Sequence, residues 1–203
     1  MAEILVAAAP WRPLLHSALQ SNSHIRHASY FQLATVAANG RPSNRTVVFR
    51  GFRHGSDTIQ INTDSRTRKI EEIRLCPYGE VCWYFTESWE QFRLSGKIEI
   101  VDGSNTDPLK LQLREKSWFS SSLKSRNQYL GPSPGLPHLN EERHEEPLLD
   151  QSTGPVPAFC LLLLDPEQVD YLNLKSNKRL IFISRQTDES NYCWVEEVTD
   201  KNG

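Results

Sequence analysis

The chain has 203 residues, 38% of them hydrophobic and 24% charged, with a formal net charge of −2. That length suits one domain, residues 1–203, with a sizeable core, and the composition is ordinary for a soluble globular protein. The near-neutral charge gives no basis for a nucleic-acid or membrane-surface binder, and no apolar run approaches the ~20 residues that a spanning helix needs.

In chain order, Met1–Pro10 is apolar but lacks the basic start and long apolar stretch of a secretory signal. The expected compartment is the cytoplasm, with a plastid left open. Pro10 to Gln20 places Trp11, Leu14, Leu15, Ala18 and Leu19 at helical spacing, with proline near the start. Tyr30–Val36 reads as a strand, Ala38–Pro42 as a turn with an Asn-Gly signal, and Arg45–Phe52 as the returning strand. Thr58–Asn62 is a third strand, followed by a helix capped by Asp64 or Ser65 and running through Ile73. Glu80–Phe85 and Glu90–Val101 pair around a turn at 86–89. In the second of these, Gln91, Arg93, Ser95 and Lys97 alternate with Phe92, Leu94 and Ile98, so one face is polar. Asp107–Leu123 is a helix with Pro108 in its first turn, and Arg126–Leu130 continues it or forms a second. Gly131–Gly154 is rich in Pro, Glu and His without periodicity, so 131–154 is expected to be a flexible loop. Ala158–Leu164, Gln168–Leu174, Arg179–Ser184 and Tyr192–Val198 read as strands. Seven or eight strands with few helices predict a mostly β fold: a closed or nearly closed antiparallel barrel with peripheral helices.

Cys76, Cys82, Cys160 and Cys193 show no Cys-x-x-Cys spacing and are expected to be buried free thiols in a reducing compartment. The six His residues also lack ligand spacing, so no metal site is expected.

The densest chemistry lies at Arg45–Arg50 and at Thr63–Lys69. Arg45 and Arg50 are five positions apart and so point to opposite faces of a strand; the plain alternative is two solvated strand ends. Thr63, Ser65, Arg66, Thr67, Arg68 and Lys69 crowd hydroxyls and cations at a helix start. Cations there oppose the helix dipole unless an anion is bound, so the run reads either as a phosphate site or as an ordinary capped turn. Beside it the apolar strand offers a flat surface for a ring, and together they suggest a phosphorylated aromatic cofactor. Gln91 can both donate and accept at a heterocycle's edge, and Arg179 could place a cation near a reduced ring; each reads equally as a solvated strand residue. Arg114, Trp118, Ser122 and Arg126, four apart, share a helix face. They form either a substrate wall with a second phosphate clamp or a core-packed Trp flanked by exposed Arg. Trp83, Trp89 and Trp194 are expected in the core or a dimer interface. No nucleophile–base pair is visible, so no catalytic side chain is assigned and a cofactor must carry any redox chemistry.

Arg45-Thr-Val-Val-Phe-Arg50, then Asn62-Thr63 before Arg68-Lys69, then Trp89-Glu-Gln-Phe-Arg-Leu-Ser-Gly-Lys97 occur in the order and spacing of a known pattern. The three blocks resemble the FMN-binding core of the pyridoxamine 5′-phosphate oxidase family. Gly40–Arg45, Ser125-Arg126 before Pro132-Ser-Pro-Gly135, and Val169–Leu174 are closer to its single-domain, oxidase-like branch. The resemblance implies an FMN-binding split barrel and a homodimer with FMN between subunits. It implies cofactor contacts from Arg45, Thr46, Val47, Val48, Asn62, Thr63, Arg68, Lys69, Gln91 and Arg179. It implies substrate contacts from Arg50, Trp118, Ser122 and Arg126, the substrate being a phosphorylated vitamin B6 form. The implied reaction is oxidation of pyridoxamine or pyridoxine 5′-phosphate to pyridoxal 5′-phosphate by oxygen. The sequence departs from the family at Lys175–Arg179, where an Arg-x-His is usual, at Leu172 in place of Trp, and at the 131–154 insertion. Those departures keep two other readings open: an FMN-dependent oxidoreductase of another small molecule, and a flavin- or pyridoxal-phosphate-binding protein without turnover.

Overall fold

A computed structural model describes residues 9–135, 149–187 and 192–197. Among these, eight antiparallel strands form one sheet in the order β3-β2-β1-β4-β5-β6-β7-β8, and a further β3–β6 pairing closes six of them into a barrel. The strands are β1 Tyr30–Val36, β2 Pro42–Phe52, β3 Ile59–Asp64, β4 Tyr78–Phe85, β5 Glu90–Val101, β6 Phe159–Asn173, β7 Lys178–Gln186 and β8 Tyr192–Glu197. The helices are α1 Arg12–Ser21, α2 Arg68–Leu75, α3 Pro108–Phe119 and α4 Leu123–Asn127, the last running into a 3₁₀ turn at Gln128–Leu130. The mostly β barrel with peripheral helices is the fold that the strand pattern predicts.

β1, β4 and β5 follow from period-2 patterning: inward Phe31, Leu33, Val81, Trp83, Phe92 and Leu94 are buried, with polar or small residues between them. Their rings fill the barrel, with Trp83 5.0 Å from Phe31, 4.9 Å from Phe49 and 5.2 Å from Phe85, centroid to centroid. α1 packs on this core through Trp11 and Leu15. The Arg12 guanidinium lies 3.4 Å above the Phe52 ring and pairs with Asp57 at 3.1 Å, fixing the helix to the β2–β3 end.

The two strands expected at 158–164 and 168–174 are one strand. β6 pairs with β5 along its whole length, and its first half also pairs with β3 and its second half with β7. Pro166, in the gap between the two expected strands, pairs with Gly96 at a bulge between Ser95 and Gly96, a position that a residue without an N–H can occupy. The backbones approach so closely there that a Cβ on Gly96 would lie 1.9 Å from the Asp165 carbonyl oxygen. Both faces of Phe159–Leu164 are buried. The outer side is covered by a second small cluster of Val101, Leu161 and Leu163 with Leu113 of α3.

The helix expected over 107–123 ends at Phe119. Ser122 caps a separate α4, accepting from the Ser125 N–H, so the four-residue spacing of Arg114, Trp118, Ser122 and Arg126 does not run along one helix. Of the cysteines, only Cys160 is buried; Cys76 and Cys82 are half-buried and Cys193 is exposed, because β8 lies at the sheet edge with its faces open. All four are free thiols. The 131–154 loop falls largely on 136–148, outside the described residues. Among the described residues no helix is long and apolar enough to cross a membrane.

Candidate functional site

A cleft of about 390 Å³ opens where β2 meets the start of α2, lined by Ser43, Asn44, Arg45, Thr67, Arg68, Lys69, Glu72, Pro134 and Gly135. Its floor comes from the turn after β3. Asp64 ends the strand, accepts from the Arg66 N–H at 2.8 Å, and its carbonyl accepts from the Thr67 hydroxyl at 2.7 Å. Thr67 therefore stands at the N-cap of α2, rather than Asp64 or Ser65, with its hydroxyl directed back to Asp64. The first turn of α2 has no side-chain cap; the Ile70 N–H is taken by the Thr67 carbonyl at 3.0 Å, which leaves the Arg68 and Lys69 N–H groups and the helix dipole to an anion.

Lys69 reaches into this turn. Its ammonium donates to Thr63 Oγ1 at 3.0 Å and Thr67 Oγ1 at 2.9 Å and, among the described residues, pairs with no carboxylate. Burial, then the like charge of Arg45, pull its pKa down to about 8, against the opposing pull of Asp64 and Glu72. Arg68 is exposed and has no hydrogen bond or ion pair among the described residues. An uncapped helix start, a half-buried ammonium without a counter-ion and an unpaired guanidinium are the groups that a phosphate monoester dianion satisfies. The residues present therefore fit the phosphate of FMN.

Arg45 is held differently. Its Nη2 pairs with Glu72 Oε2 at 2.6 Å, and its Nη1 donates to the Leu33 carbonyl at 3.2 Å. Thr35 and Ser43 hydroxyls also donate to Glu72, the latter at 2.9 Å. Burial works to raise the Glu72 pKa, but these bonds outweigh it and hold the carboxyl below the usual range. With Glu72 counted, the cleft presents three cations and one carboxylate.

The alternation of β2 divides the other expected contacts. Arg45 and Val47 point inward with Phe49, and Val47 is buried. Thr46 and Val48 lie on the outer face beside Gln32 and Tyr30, their register partners, and form the flat surface next to the cleft. Thr63 holds Lys69. Asn62 points the other way, accepting from Ser117 at 2.6 Å and donating to Ser121 at 3.1 Å, so its amide is committed to α3.

Gln91 and Arg179 stand elsewhere in the protomer. They flank Leu172 in register across β5, β6 and β7. β4 and β1 lie between β5 and β2, a separation of about 14 Å at the usual strand spacing. Arg179 is bound to Asp170 through two bonds of 3.0 and 2.7 Å.

The expected substrate residues are also dispersed. Arg50 is exposed on the outer face of β2 with no bonded partner among the described residues. It lies near Tyr129, whose pKa burial pushes up to about 12 against the Arg50 charge. Trp118 is fully buried, packs edge-on against Phe159 with centroids 5.1 Å apart and donates its indole N–H to the Thr153 carbonyl at 2.7 Å. Its ring is core, and no face of it is open in the protomer. Arg114 is buried too, holding the Phe159 and Val156 carbonyls at the start of β6. Ser122 is exposed at the α4 cap. Arg126 is 6% exposed, 5.7 Å from the Trp118 ring, bonded to the Gln151 carbonyl, and its Nε has no partner.

Glu72, Thr35 and Ser43 were not singled out by the sequence, and Asp64 was expected only as a helix cap. The signal for Glu72 was present: it follows Lys69 by three positions and Arg68 by four, so it shares their face of α2.

The family model "Pyridoxamine 5′-phosphate oxidase, FMN-binding domain" matches residues 8–102. The chain is 59% identical over 189 residues to the pyridoxine/pyridoxamine 5′-phosphate oxidase 2 of Arabidopsis thaliana, covering 93% of this chain and 96% of that protein. It is 36% identical to the pyridoxine/pyridoxamine 5′-phosphate oxidase of Myxococcus xanthus over 37% of this chain and 35% of that one. In structure it is similar to a pyridoxamine 5′-phosphate oxidase-related, FMN-binding protein of Nostoc punctiforme. That likeness has a TM-score of 0.83 and 36% identity over 95% of this chain and 98% of the other. PhzG from Burkholderia lata shares the fold, with a TM-score of 0.66 at 17% identity over 94% of this chain and 92% of that one.

Proposed function

The chain belongs to the pyridoxamine 5′-phosphate oxidase family, and from that premise we propose an FMN-dependent oxidase that converts pyridoxamine or pyridoxine 5′-phosphate to pyridoxal 5′-phosphate with oxygen as acceptor. The observation that carries this reading is the uncapped start of α2 with Lys69 and Arg68 free of carboxylate partners among the described residues.

In this reading Lys69 and Arg68 hold the FMN phosphate, with Thr63 and Thr67 keeping the Lys69 ammonium in place. Arg45, fixed by Glu72, adds a third cation at the cleft. Thr46 and Val48 support the ring system along the outer face of β2. FMN, when bound, supplies the two-electron acceptor that no side chain of this protein provides. The chain's own contribution is orientation and charge: it places the substrate carbon against the ring and holds the substrate phosphate. Arg50, exposed beside the flat surface and unpaired among the described residues, is assigned to that phosphate, and Ser122 is assigned to the substrate side as an exposed hydroxyl. Arg126 completes the clamp only where its unbonded Nε is reached, and Trp118 acts by seating Arg126. For the amine the balanced outcome is one pyridoxal 5′-phosphate, one ammonia and one hydrogen peroxide per oxygen and water consumed.

Gln91 and Arg179 lie three and five strands from β2 in the sheet order. A homodimer that sets this face of one copy against β2 of another brings them to the same cofactor, and the proposal includes that dimer. Free thiols at all four cysteines agree with a cytoplasmic setting.

A second reading, FMN-dependent oxidation or reduction of a different small molecule, is favoured by one observation. The β6–β7 turn, Leu174–Asn177, carries no His, and Arg179 behind it is bound to Asp170. The two readings separate in one assay: FMN-loaded protein in air with pyridoxamine 5′-phosphate, following pyridoxal 5′-phosphate and peroxide. Equal molar amounts of both products are expected. A yellow protein that forms neither product, yet is reduced by another donor, establishes the second reading instead.

A further inference from the structure

Arg66 sits among the cations at the start of α2, yet it does not line the cleft. Its Nε donates to both Asp64 oxygens at 3.0 and 3.2 Å, and its Nη2 to Asp64 Oδ2 at 2.6 Å. The remaining donors cross to another part of the chain: Nη2 to the Tyr129 carbonyl at 3.3 Å and Nη1 to the Gly131 carbonyl at 2.9 Å. No other side chain among the described residues donates to those two carbonyls. Asp64 is itself nearly buried and fixes the turn that carries Thr67, which in turn accepts from Lys69. Three and four residues beyond Gly131, Pro134 and Gly135 form part of the cleft wall.

We propose that Arg66 is a positioning residue: locked to Asp64, it straps the Tyr129–Gly135 segment to the β3–α2 turn and so sets one wall of the anion cleft. The proposal rests on the phosphate site described above and adds a coupling to it. The strap ties the turn that holds Lys69 to the segment that follows Ser122 and Arg126. Phosphate in the cleft and order in Tyr129–Gly135 therefore favour each other, and by linkage each strengthens the other by the same factor. Only Arg can do this, because a planar fork with five donors is needed to hold a carboxylate and two carbonyls at once.

The test uses the full chain as wild type, Arg66→Ala, Arg66→Lys and Asp64→Asn. Two quantities are read: amide hydrogen exchange with and without FMN, and dissociation constants for FMN and for riboflavin, which lacks the phosphate. In flavin-free Arg66→Ala, exchange at Tyr129, Leu130 and Gly131 is expected to rise about tenfold or more while β3 and β6 keep their protection. FMN binding is expected to weaken about tenfold and riboflavin binding to stay as it was. Arg66→Lys is expected to recover part of both effects and Asp64→Asn to mimic Arg66→Ala. Unchanged exchange at 129–131 in Arg66→Ala overturns the strap. Faster exchange throughout the barrel, with FMN and riboflavin weakened alike, overturns it too, since Arg66 would then serve stability alone. Wild type that takes up no FMN defeats the functional reading, while the exchange measurement on flavin-free protein still decides the strap.

Discussion

Lys69 is the residue at which structure and chemistry meet most closely. Its folded pKa of about 8 lies below the ordinary value of 10.5. Between those values the unfolded chain holds a proton that the folded chain has lost. The flavin-free protein therefore gains stability from this group as pH rises from 8 to 10.5. Phosphate binding runs the other way, because the dianion needs the ammonium. FMN affinity is expected to fall by up to about tenfold per pH unit above pH 8, and Lys69→Met to flatten that dependence in a fluorescence titration. Glu72 makes the second residue-level prediction. Glu72→Ala leaves the Arg45 guanidinium without its partner, at a cost of about 2 kcal/mol by urea unfolding, since the pair is only partly exposed. With its folded pKa depressed, Glu72 contributes stability that is complete above the unfolded carboxyl's ~4.3 and is lost as pH falls. The variant's stability should therefore change less than wild type below that pH. The Arg68–Lys69 pair was legible because three cations at a helix start stand out in composition. The helix face of Glu72 and the cap position of Asp64 were legible, but not the partners of Glu72, because Arg45 and Thr35 are 27 and 37 positions away in the chain.

Among the elements, β6 shows how a local rule yields to its neighbours. Proline in a central strand argues for two strands, and the hydrophobic run before Asp165 and the alternation after it agree. The partner strand decides otherwise: Gly96 gives up its side chain so that β5 can follow β6 past the bulge. A methyl group there meets the Asp165 carbonyl at 1.9 Å, and backbone cannot yield as a side chain would. Gly96→Ala is expected to lose about 3 kcal/mol in urea unfolding, and a variant of wild-type stability would show that the bulge is not under that constraint. The 120–122 break was hidden for a related reason. Its three serines are compatible with a helix by spacing, and only the Ser122 cap, set by where α4 must return, ends one helix and begins another. The β1, β4 and β5 boundaries, in contrast, were legible to within two residues because buried and more exposed positions alternate along them, with aromatic and aliphatic residues leading on the inward faces.

For the molecule as a whole, closure of the barrel through β3–β6 puts the proposed phosphate cleft and the Gln91–Leu172–Arg179 row on separate strands of one outer surface. Tyr30 and Tyr84, each 43% exposed, lie on that surface between them. The proposed homodimer covers it, so sedimentation should give twice the chain mass and one FMN per protomer, and Tyr84→Asp should give a folded monomer that has lost FMN. A wild-type monomer that still binds FMN tightly would contradict the shared site. The barrel was readable from strand count and spacing, whereas closure through β3 and β6, about 100 residues apart, carries no local signal. The most direct measurement is a parallel titration of wild type and the Arg68→Ala, Lys69→Ala double variant with FMN and with riboflavin. Wild type is expected to prefer FMN by about a hundredfold or more, and the double variant to bind both alike. Equal affinity of wild type for FMN and riboflavin, or a double variant that keeps the preference, would place the phosphate elsewhere and overturn the site.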